Sequence, residues 1–187
     1  MDRPGRVVSV NVGRPRPVEH RGRLETTSIR KEPVTARVPV RGVNVEGDEQ
    51  ADPSVHGGPD QAVYAYARED YEWWEGELGQ PLAPGTFGEN LTTAGLDVSE
   101  AQVGERWRIG RLVLEVMSPR LPCWKLGQRL GDQRFVKRFG EAGRFGAYLR
   151  IVEEGDVAAG DEVQVDRSAA AAGTMRSVGR SMLGKAE

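Results

Sequence analysis

The sequence predicts a mainly β fold, either a barrel or a strongly curved sheet, that uses two short helices as lids. Glycine and proline account for 24 and 11 of the 187 residues, so the chain turns often and its elements are short. Several short segments alternate apolar and polar residues or are rich in β-branched residues, and glycine or proline separates them. A chain of this length has room for one domain.

Predicted strands occur along most of the chain. Val8, Val10 and Val12 alternate with Ser9 and Asn11, which predicts a strand with one buried face. Residues 13–22 are rich in proline and arginine and are predicted to form a loop. Further strands are expected at 36–40, 61–67, 105–109, 112–117, 147–152 and 162–165. The fourth of these has apolar residues on both faces, so we expect it to be largely buried.

Two segments have helical periodicity instead. Tyr71, Trp74 and Leu78 recur at helical spacing, and Gly79 is expected to end that helix. Phe135 and Phe139 indicate a second, shorter helix that ends at Gly140 or Gly143. Residues 1–166 therefore form the expected domain. Residues 167–187 contain few large apolar side chains and are expected to be a disordered tail, with a short surface helix as the alternative.

Composition excludes several classes of protein. Charged residues make up 29% of the chain but the net charge is only −2, which fits neither a disordered chain nor a uniformly basic nucleic-acid binder. No apolar run approaches the ~18 residues that a membrane span requires, and the first residues lack the apolar core of a signal peptide. We therefore expect a cytoplasmic protein with neither a membrane nor a nucleic acid as partner.

The small net charge hides a strong segregation of charge along the chain. Residues 1–45 carry 10 basic and 4 acidic side chains, residues 46–105 carry 1 and 14, and residues 106–151 carry 11 and 3. One interpretation is that the acidic middle faces solvent and pairs with the basic segments that flank it. The other is that both basic segments line one anion-binding cleft. Charge counts alone do not decide between them.

The segment SPRLPCWKLG contains the only cysteine, Cys123, between Arg120 and Lys125. Pro119 and Pro122 stiffen the backbone just before it, directly after the most buried predicted strand. Cationic neighbours favour the thiolate, which is the form that acts as a nucleophile or as a ligand for a soft metal. The alternative is a small buried apolar side chain. A single cysteine excludes an internal disulfide and any multi-cysteine cluster built from this chain alone.

Three more residues are candidate binding groups. His56 lies in a turn rich in glycine and proline, Asn90 lies close to two glycines, and Lys31 stands just before Pro33. Each also has an ordinary structural interpretation. A turn histidine can bond to the backbone, an asparagine after Gly-Glu is common in turns, and a lysine is usually solvated.

Seven segments in order resemble the MOSC domain, which is named after the C-terminal region of molybdenum cofactor sulfurases. The similarity is greatest to the bacterial YiiM-type branch and covers about residues 6–165. The segments are IRKEPV, GDEQAD, HGGPDQAVYAY, FGENLTT, SPRLPCWKLG, GRFGAYLRI and GDEV. The resemblance implies a closed MOSC-type β-barrel with a few short helices.

The same resemblance implies a site for the molybdenum cofactor, molybdopterin. Cys123 matches the family cysteine that ligates molybdenum or accepts sulfur. Lys31 and Asn90 are implied cofactor contacts, and Arg120, Lys125 and His56 are further ones by the same motifs. An anionic cofactor phosphate would then explain why two basic segments are needed.

The implied function is the reduction of N-hydroxylated compounds, such as hydroxylamino bases or amidoximes. The chain lacks a ferredoxin-like cysteine set and a flavin signature, so separate electron-transfer proteins are the expected partners. Two alternatives remain at this stage. One is a sulfur carrier or sulfurtransferase accessory that bears a persulfide on Cys123, and the other is a barrel that binds the cofactor without turnover.

Overall fold

The computed structural model describes residues 4–51, 57–171 and 173–184. Its strands are β1 (Gly5–Val12), β2 (Arg16–His20), β3 (Arg23–Thr27), β4 (Glu32–Val34), β5 (Val38–Arg41), β6 (Asn44–Val45), β7 (Val63–Ala67), β8 (Leu91–Ala94), β9 (Arg106–Ile109), β10 (Leu112–Ser118), β11 (Ala147–Glu153), β12 (Gly155–Val157) and β13 (Glu162–Asp166). Its α-helices are α1 (Arg68–Leu78), α2 (Trp124–Leu130), α3 (Phe135–Ala142) and α4 (Met175–Gly184).

Seven of these strands form a closed barrel in the order β13-β9-β10-β11-β7-β8-β1. The pairing of Gly5 with Val163 returns β1 to β13 and closes the ring. Neighbouring strands of the ring are antiparallel except β7 and β8, which are parallel. Closure leaves no free sheet edge in the ring. The predicted closed β-barrel is therefore confirmed.

The described residues form two hydrophobic cores. Aliphatic side chains from the barrel strands, together with Trp107, fill the first core. The second is mainly aromatic and lies where α1, α2 and α3 pack together. Its largest fully buried members are Tyr66, Tyr71, Trp74, Phe87, Phe135, Phe139 and Phe145. Such rings favour stacked or edge-on contacts, and the Phe87 ring lies stacked 4.5 Å from that of Tyr66 and edge-on 4.9 Å from that of Tyr71.

Strand β1 differs from the simple alternation that was expected. Its core residues are Val7 and Val10, whereas Val8 is only partly buried. The register against β8 shifts between Val7 and Ser9, so a bulge moves the following residues to the other face. As a result Ser9 is buried, and its hydroxyl donates to Asn11 Oδ1 at 2.7 Å. The prediction that Val8, Val10 and Val12 share one buried face was wrong. The bulge changes which residues face the core, and the apolar pattern of the sequence gives no sign of it.

The two predicted helices, α1 and α3, are confirmed. Gly79 and Gly143 end α1 and α3 with φ values of 67° and 66°. Helix α2 was not predicted. The loop expected at 13–22 is also wrong, because most of these residues belong to a hairpin. We call it the β2–β3 hairpin, and it consists of the paired strands Arg16–His20 and Arg23–Thr27. The hairpin was missed because both of its strands are largely exposed, so neither has a buried apolar face.

The expected disordered tail is wrong for residues 175–184, which form α4, so the alternative of a short helix is correct for this part of the tail. Met175 at its start is fully buried in the barrel core. A Cβ at Gly179 would lie 2.4 Å from Phe145 Cε2, so the absent side chain is what allows α4 to lie against that ring. The small number of large apolar residues in the tail gave no sign of this packing, because one methionine and one glycine make the contacts. No helix in the described parts of the chain is long and apolar enough to cross a membrane.

Candidate functional site

Five of the six predicted site residues line a single cleft, which has an empty volume of about 610 Å³ including its open mouth. They are Lys31, Asn90, Arg120, Cys123 and Lys125. His56 lies outside the described residues. Lys31 comes from the first basic segment, and Arg120, Cys123 and Lys125 come from the second. The basic segments thus converge on one cleft, although the acidic middle also pairs with them on the surface, as between Arg150 and Asp60.

Asp48 organises the inner wall of this cleft, and sequence reasoning did not single it out. Its carboxylate accepts hydrogen bonds from Lys31 Nζ, from Asn90 Nδ2 at 3.0 Å and from the Gly13 backbone N–H at 2.7 Å. The ion pair with Lys31 is buried, with side chains 9% and 3% exposed. Burial lowers the pKa of Lys31 below its ordinary value, and the charge of Asp48 partly opposes that shift. The only sequence signal for Asp48 was its place in the GDEQAD segment.

The side chain of Asn90 joins three parts of the fold. Its Nδ2 donates to Asp48 and to the Asn11 carbonyl at 3.3 Å, and its Oδ1 accepts from the Tyr64 backbone N–H at 3.1 Å. Both amide hydrogens therefore have protein acceptors. Asn90 thus holds β1 and β7 beside Asp48. Its role in this structure is to position the wall of the cleft.

Arg120 is held over an aromatic ring at the centre of the cleft. Its guanidinium lies 4.8 Å from the centroid of the Tyr64 ring, and Nη1 donates to the Phe87 carbonyl. Gly88 leaves room for this approach, since a Cβ there would make a tight contact of 3.0 Å with Arg120 Nη1. An arginine has five N–H donors and stays charged, so Arg120 retains donors that can face an anion.

Cys123 lies between the end of β10 and the start of α2. It is the residue directly before that helix and is partly buried at the cleft wall. The next residue, Trp124, stacks on His20 of the β2–β3 hairpin, with ring centroids 4.0 Å apart. No group of three or more His, Cys, Asp or Glu side chains that could hold a metal occurs in residues 4–51, 57–171 and 173–184.

Glu89 lies beneath the cleft and is fully buried. Its Oε1 accepts hydrogen bonds from the Tyr71 hydroxyl at 2.5 Å, from Thr92 Oγ1 at 2.8 Å and from the Gly85 backbone N–H at 2.8 Å. Burial raises the pKa of this carboxyl, and those three donors oppose the shift. Glu89 thus fixes helix α1 and strand β8 to the loop that carries Asn90.

Gly85 gives a direct test of how closely this loop approaches Lys31. Its φ is +84°, and a Cβ there would lie 2.5 Å from the Lys31 carbonyl oxygen. We expect Gly85→Ala to lower the free energy of unfolding by about 1–3 kcal/mol from the backbone conformation alone, with the overlap adding to that loss. Gly76→Ala is the matched control. Gly76 lies inside α1 with open space around its Cα, so alanine should stabilise by roughly 0.5–1 kcal/mol. Urea denaturation measures both, and equal effects of the two substitutions would contradict this account.

Comparison with known proteins agrees with the barrel fold. The sequence model of the MOSC domain family matches residues 52–164, more than half of the chain. The uncharacterized protein YflK of Bacillus subtilis (strain 168) is 40% identical over 159 residues, a match that covers 85% of this chain and 72% of that protein.

Two further relatives extend this comparison. A protein of Gibberella moniliformis named Reductase is 32% identical over 169 residues, which are 87% of this chain and 29% of that protein, so this chain spans less than a third of the fungal relative. The crystal structure of YiiM from Geobacillus stearothermophilus superposes with a TM-score of 0.78 at 28% identity and covers 97% of this chain and 85% of that one. With the family match extending over more than half of its length, the chain belongs to the MOSC domain family.

Proposed function

We propose that this protein binds the molybdenum cofactor and reduces N-hydroxylated compounds to amines, with Cys123 as the protein ligand of molybdenum. The observation that carries the proposal is the convergence of the only thiol of the chain with Lys31, Arg120 and Lys125 in one cleft. MOSC domains are associated with this cofactor. A relative named as a reductase supports the oxidoreductase class.

The residues present in the cleft fit such a cofactor. A thiolate suits a soft metal, and the cationic side chains suit a phosphate. Two polar atoms in the cleft lining, Ser28 Oγ and Gln61 Oε1, are buried and have no hydrogen-bond partner among the residues that the structure describes. Buried polar atoms usually have hydrogen-bond partners. A polar ligand that rearranges this wall on binding would supply partners for these two atoms.

Each side chain then has a distinct role. When bound, the cofactor supplies a metal centre that removes an oxygen atom from the substrate in a two-electron reaction. Cys123 Sγ holds the metal, and the guanidinium of Arg120 and the ammonium of Lys125 bind the phosphate. Burial raises the pKa of Tyr148, so its phenol keeps its proton on the cleft wall. Asp48 holds Lys31 Nζ in place on the opposite part of the same lining.

The test compares the protein with Cys123→Ala, both produced in a host that makes the cofactor. We expect near-stoichiometric molybdenum in the first and its loss in the variant, because a single protein ligand connects metal to chain. Reduction of benzamidoxime with dithionite-reduced methyl viologen should be abolished in parallel. Far-ultraviolet circular dichroism controls for folding. A variant that keeps its metal and its activity would refute the proposal.

The same experiment separates two other functions. Cys123 is the only thiol of the chain, which also suits a persulfide carrier. That function predicts no molybdenum together with a ~32 Da adduct on the Cys123 peptide after incubation with a cysteine desulfurase. A barrel that only binds the cofactor predicts molybdenum without turnover. A known molybdoenzyme from the same host must load normally for either result to count.

A further inference from the structure

The β2–β3 hairpin lies beside the mouth of the cleft. In the described chain its two strands pair only with each other, and Thr27 is the one buried residue within them. Two strands without a core are marginal in water, so contacts with the rest of the protein must hold the hairpin in place. The stack of His20 on Trp124 is such a contact, with the ring planes 19° apart. Because Trp124 directly follows Cys123, the end of the hairpin lies close to the thiol.

The register of the hairpin places two arginines on the face that is turned toward the cleft. Arg23 is paired with His20, and Arg16 with Thr27. Residues that are paired across an antiparallel ribbon lie on the same face. His20 contacts Trp124, and Thr27 lines the cleft. Arg16 and Arg23 therefore border the mouth of the cleft rather than the far side of the hairpin.

Basic side chains outnumber acidic ones in the hairpin and next to it, although Glu25 shares the face of Arg16 and Arg23. Residues 14–30 contain five arginines and two glutamates. The arginines are all exposed, and we call them the basic rim: Arg14, Arg16, Arg21, Arg23 and Arg30. Arg16 lies 3.7 Å from Glu32, but both side chains are more than half exposed, so solvent weakens that pair. An exposed patch of one sign attracts a partner of the opposite sign and speeds its association.

We propose that the basic rim is the docking surface for an acidic electron-transfer protein that delivers electrons to the cleft. The inference rests on the proposed function. Reduction of R–NHOH breaks the N–O bond, takes two electrons from the donor protein and two protons from solvent, and releases R–NH2 and water. Electron transfer slows steeply with distance, so a donor must approach the thiol closely. A donor bound at the basic rim would lie near the thiol, because His20 of the hairpin stacks on Trp124, the residue that follows Cys123.

The test uses the holoprotein and two routes of reduction of benzamidoxime. Dithionite-reduced methyl viologen is a small donor that needs no docking surface. A plant-type [2Fe–2S] ferredoxin and a flavodoxin, each reduced by NADPH through ferredoxin reductase, are acidic protein donors. The variant is R21E/R23E. The matched control is R108E/R111E, which reverses two exposed arginines next to the opposite end of β10 from Cys123.

We expect R21E/R23E to lose about tenfold or more in kcat/KM with a protein donor at low salt, and R108E/R111E to lose little. Rates with methyl viologen should stay within about twofold for both variants, since small reductants do not depend on steering. The rate of the unmodified protein with a protein donor should also fall as ionic strength rises toward about 0.5 M.

Several results would overturn the proposal. One is an equal loss with both kinds of donor, which would mean that the rim acts on substrate or on folding. Another is turnover with methyl viologen but with neither protein donor. A complete lack of turnover with methyl viologen would count against the reductase function instead. Docking would then be judged by calorimetric titration of the two protein donors, in which R21E/R23E must bind at least tenfold more weakly than R108E/R111E.

Discussion

Phe87→Ala is expected to lower the free energy of unfolding by about 3–5 kcal/mol, because it removes a fully buried ring from the centre of the aromatic core. The Phe87 ring packs on Tyr66 and Tyr71 and lies 6.1 to 6.3 Å from the rings of Phe139, Trp74 and Phe135. These neighbours come from three elements, β7, α1 and α3, so they are unable to close around the cavity together. In a domain of this size, the loss corresponds to a fall in melting temperature on the order of 10 °C.

The measurement is urea denaturation followed by tryptophan fluorescence. Phe87→Leu keeps most of the apolar volume and should lose well under half as much as the alanine variant. Trp73→Ala is the control for loss of an aromatic ring, because Trp73 is 38% exposed and lies next to the same core in α1. A Phe87→Ala loss no greater than that of Trp73→Ala would show that the aromatic core does not depend on this ring.

Phe87 also links this core to the cleft, since its carbonyl accepts from Arg120. Loss of the ring should therefore loosen the loop that carries Gly88, Glu89 and Asn90 as well as the core. The aromatic core is thus a support for the site and not only a source of stability. Tyr64 belongs both to this core and to the lining of the cleft, so the core and the candidate site are in direct contact.

The sequence predicted the barrel because most of its strands are buried on at least one face. The strand around Leu114 is an example, since that side chain and its neighbours Leu112 and Val116 are fully buried. The resemblance to the MOSC domain added what periodicity does not contain, which is the closure of the ring. The exposed hairpin has only a weak apolar pattern, and the bulge at Val7 leaves the pattern unchanged. Neither was therefore predicted.

The site was predictable where the residue type itself suggests chemistry. Cys123, Lys31, Arg120 and Lys125 fall in this class, and all four line the cleft. Asp48 and Glu89 were missed because they lie in the acidic middle segment, where a carboxylate looks like part of a solvated surface. Their burial follows from long-range contacts that one sequence does not reveal, such as the hydrogen bond between Gly13 and Asp48, which are 35 positions apart.

Asp48→Asn is expected to destabilise the protein by about 3–5 kcal/mol at neutral pH, because it leaves the buried ammonium of Lys31 without its counter-charge. The new amide would also place a donor against Asn90 Nδ2, which now donates to Asp48 Oδ2. Asp60→Asn is the matched control. Asp60 pairs with Arg150 at the surface, with side chains 58% and 42% exposed, so its loss should change stability by no more than about 1 kcal/mol.

The effect of Asp48→Asn should diminish as the pH rises. Burial already lowers the pKa of Lys31 below 10.5, and removal of Asp48 lowers it further. Between that lowered pKa and 10.5 the unfolded chain binds more protons than the folded one, so the stability of the variant increases with pH. Denaturation of both proteins from neutral pH toward 10.5 measures the difference. A difference that stays constant or widens would show that the charge of Lys31 is not what Asp48 stabilises, and would leave the hydrogen bonds to Asn90 and Gly13 as its main contribution.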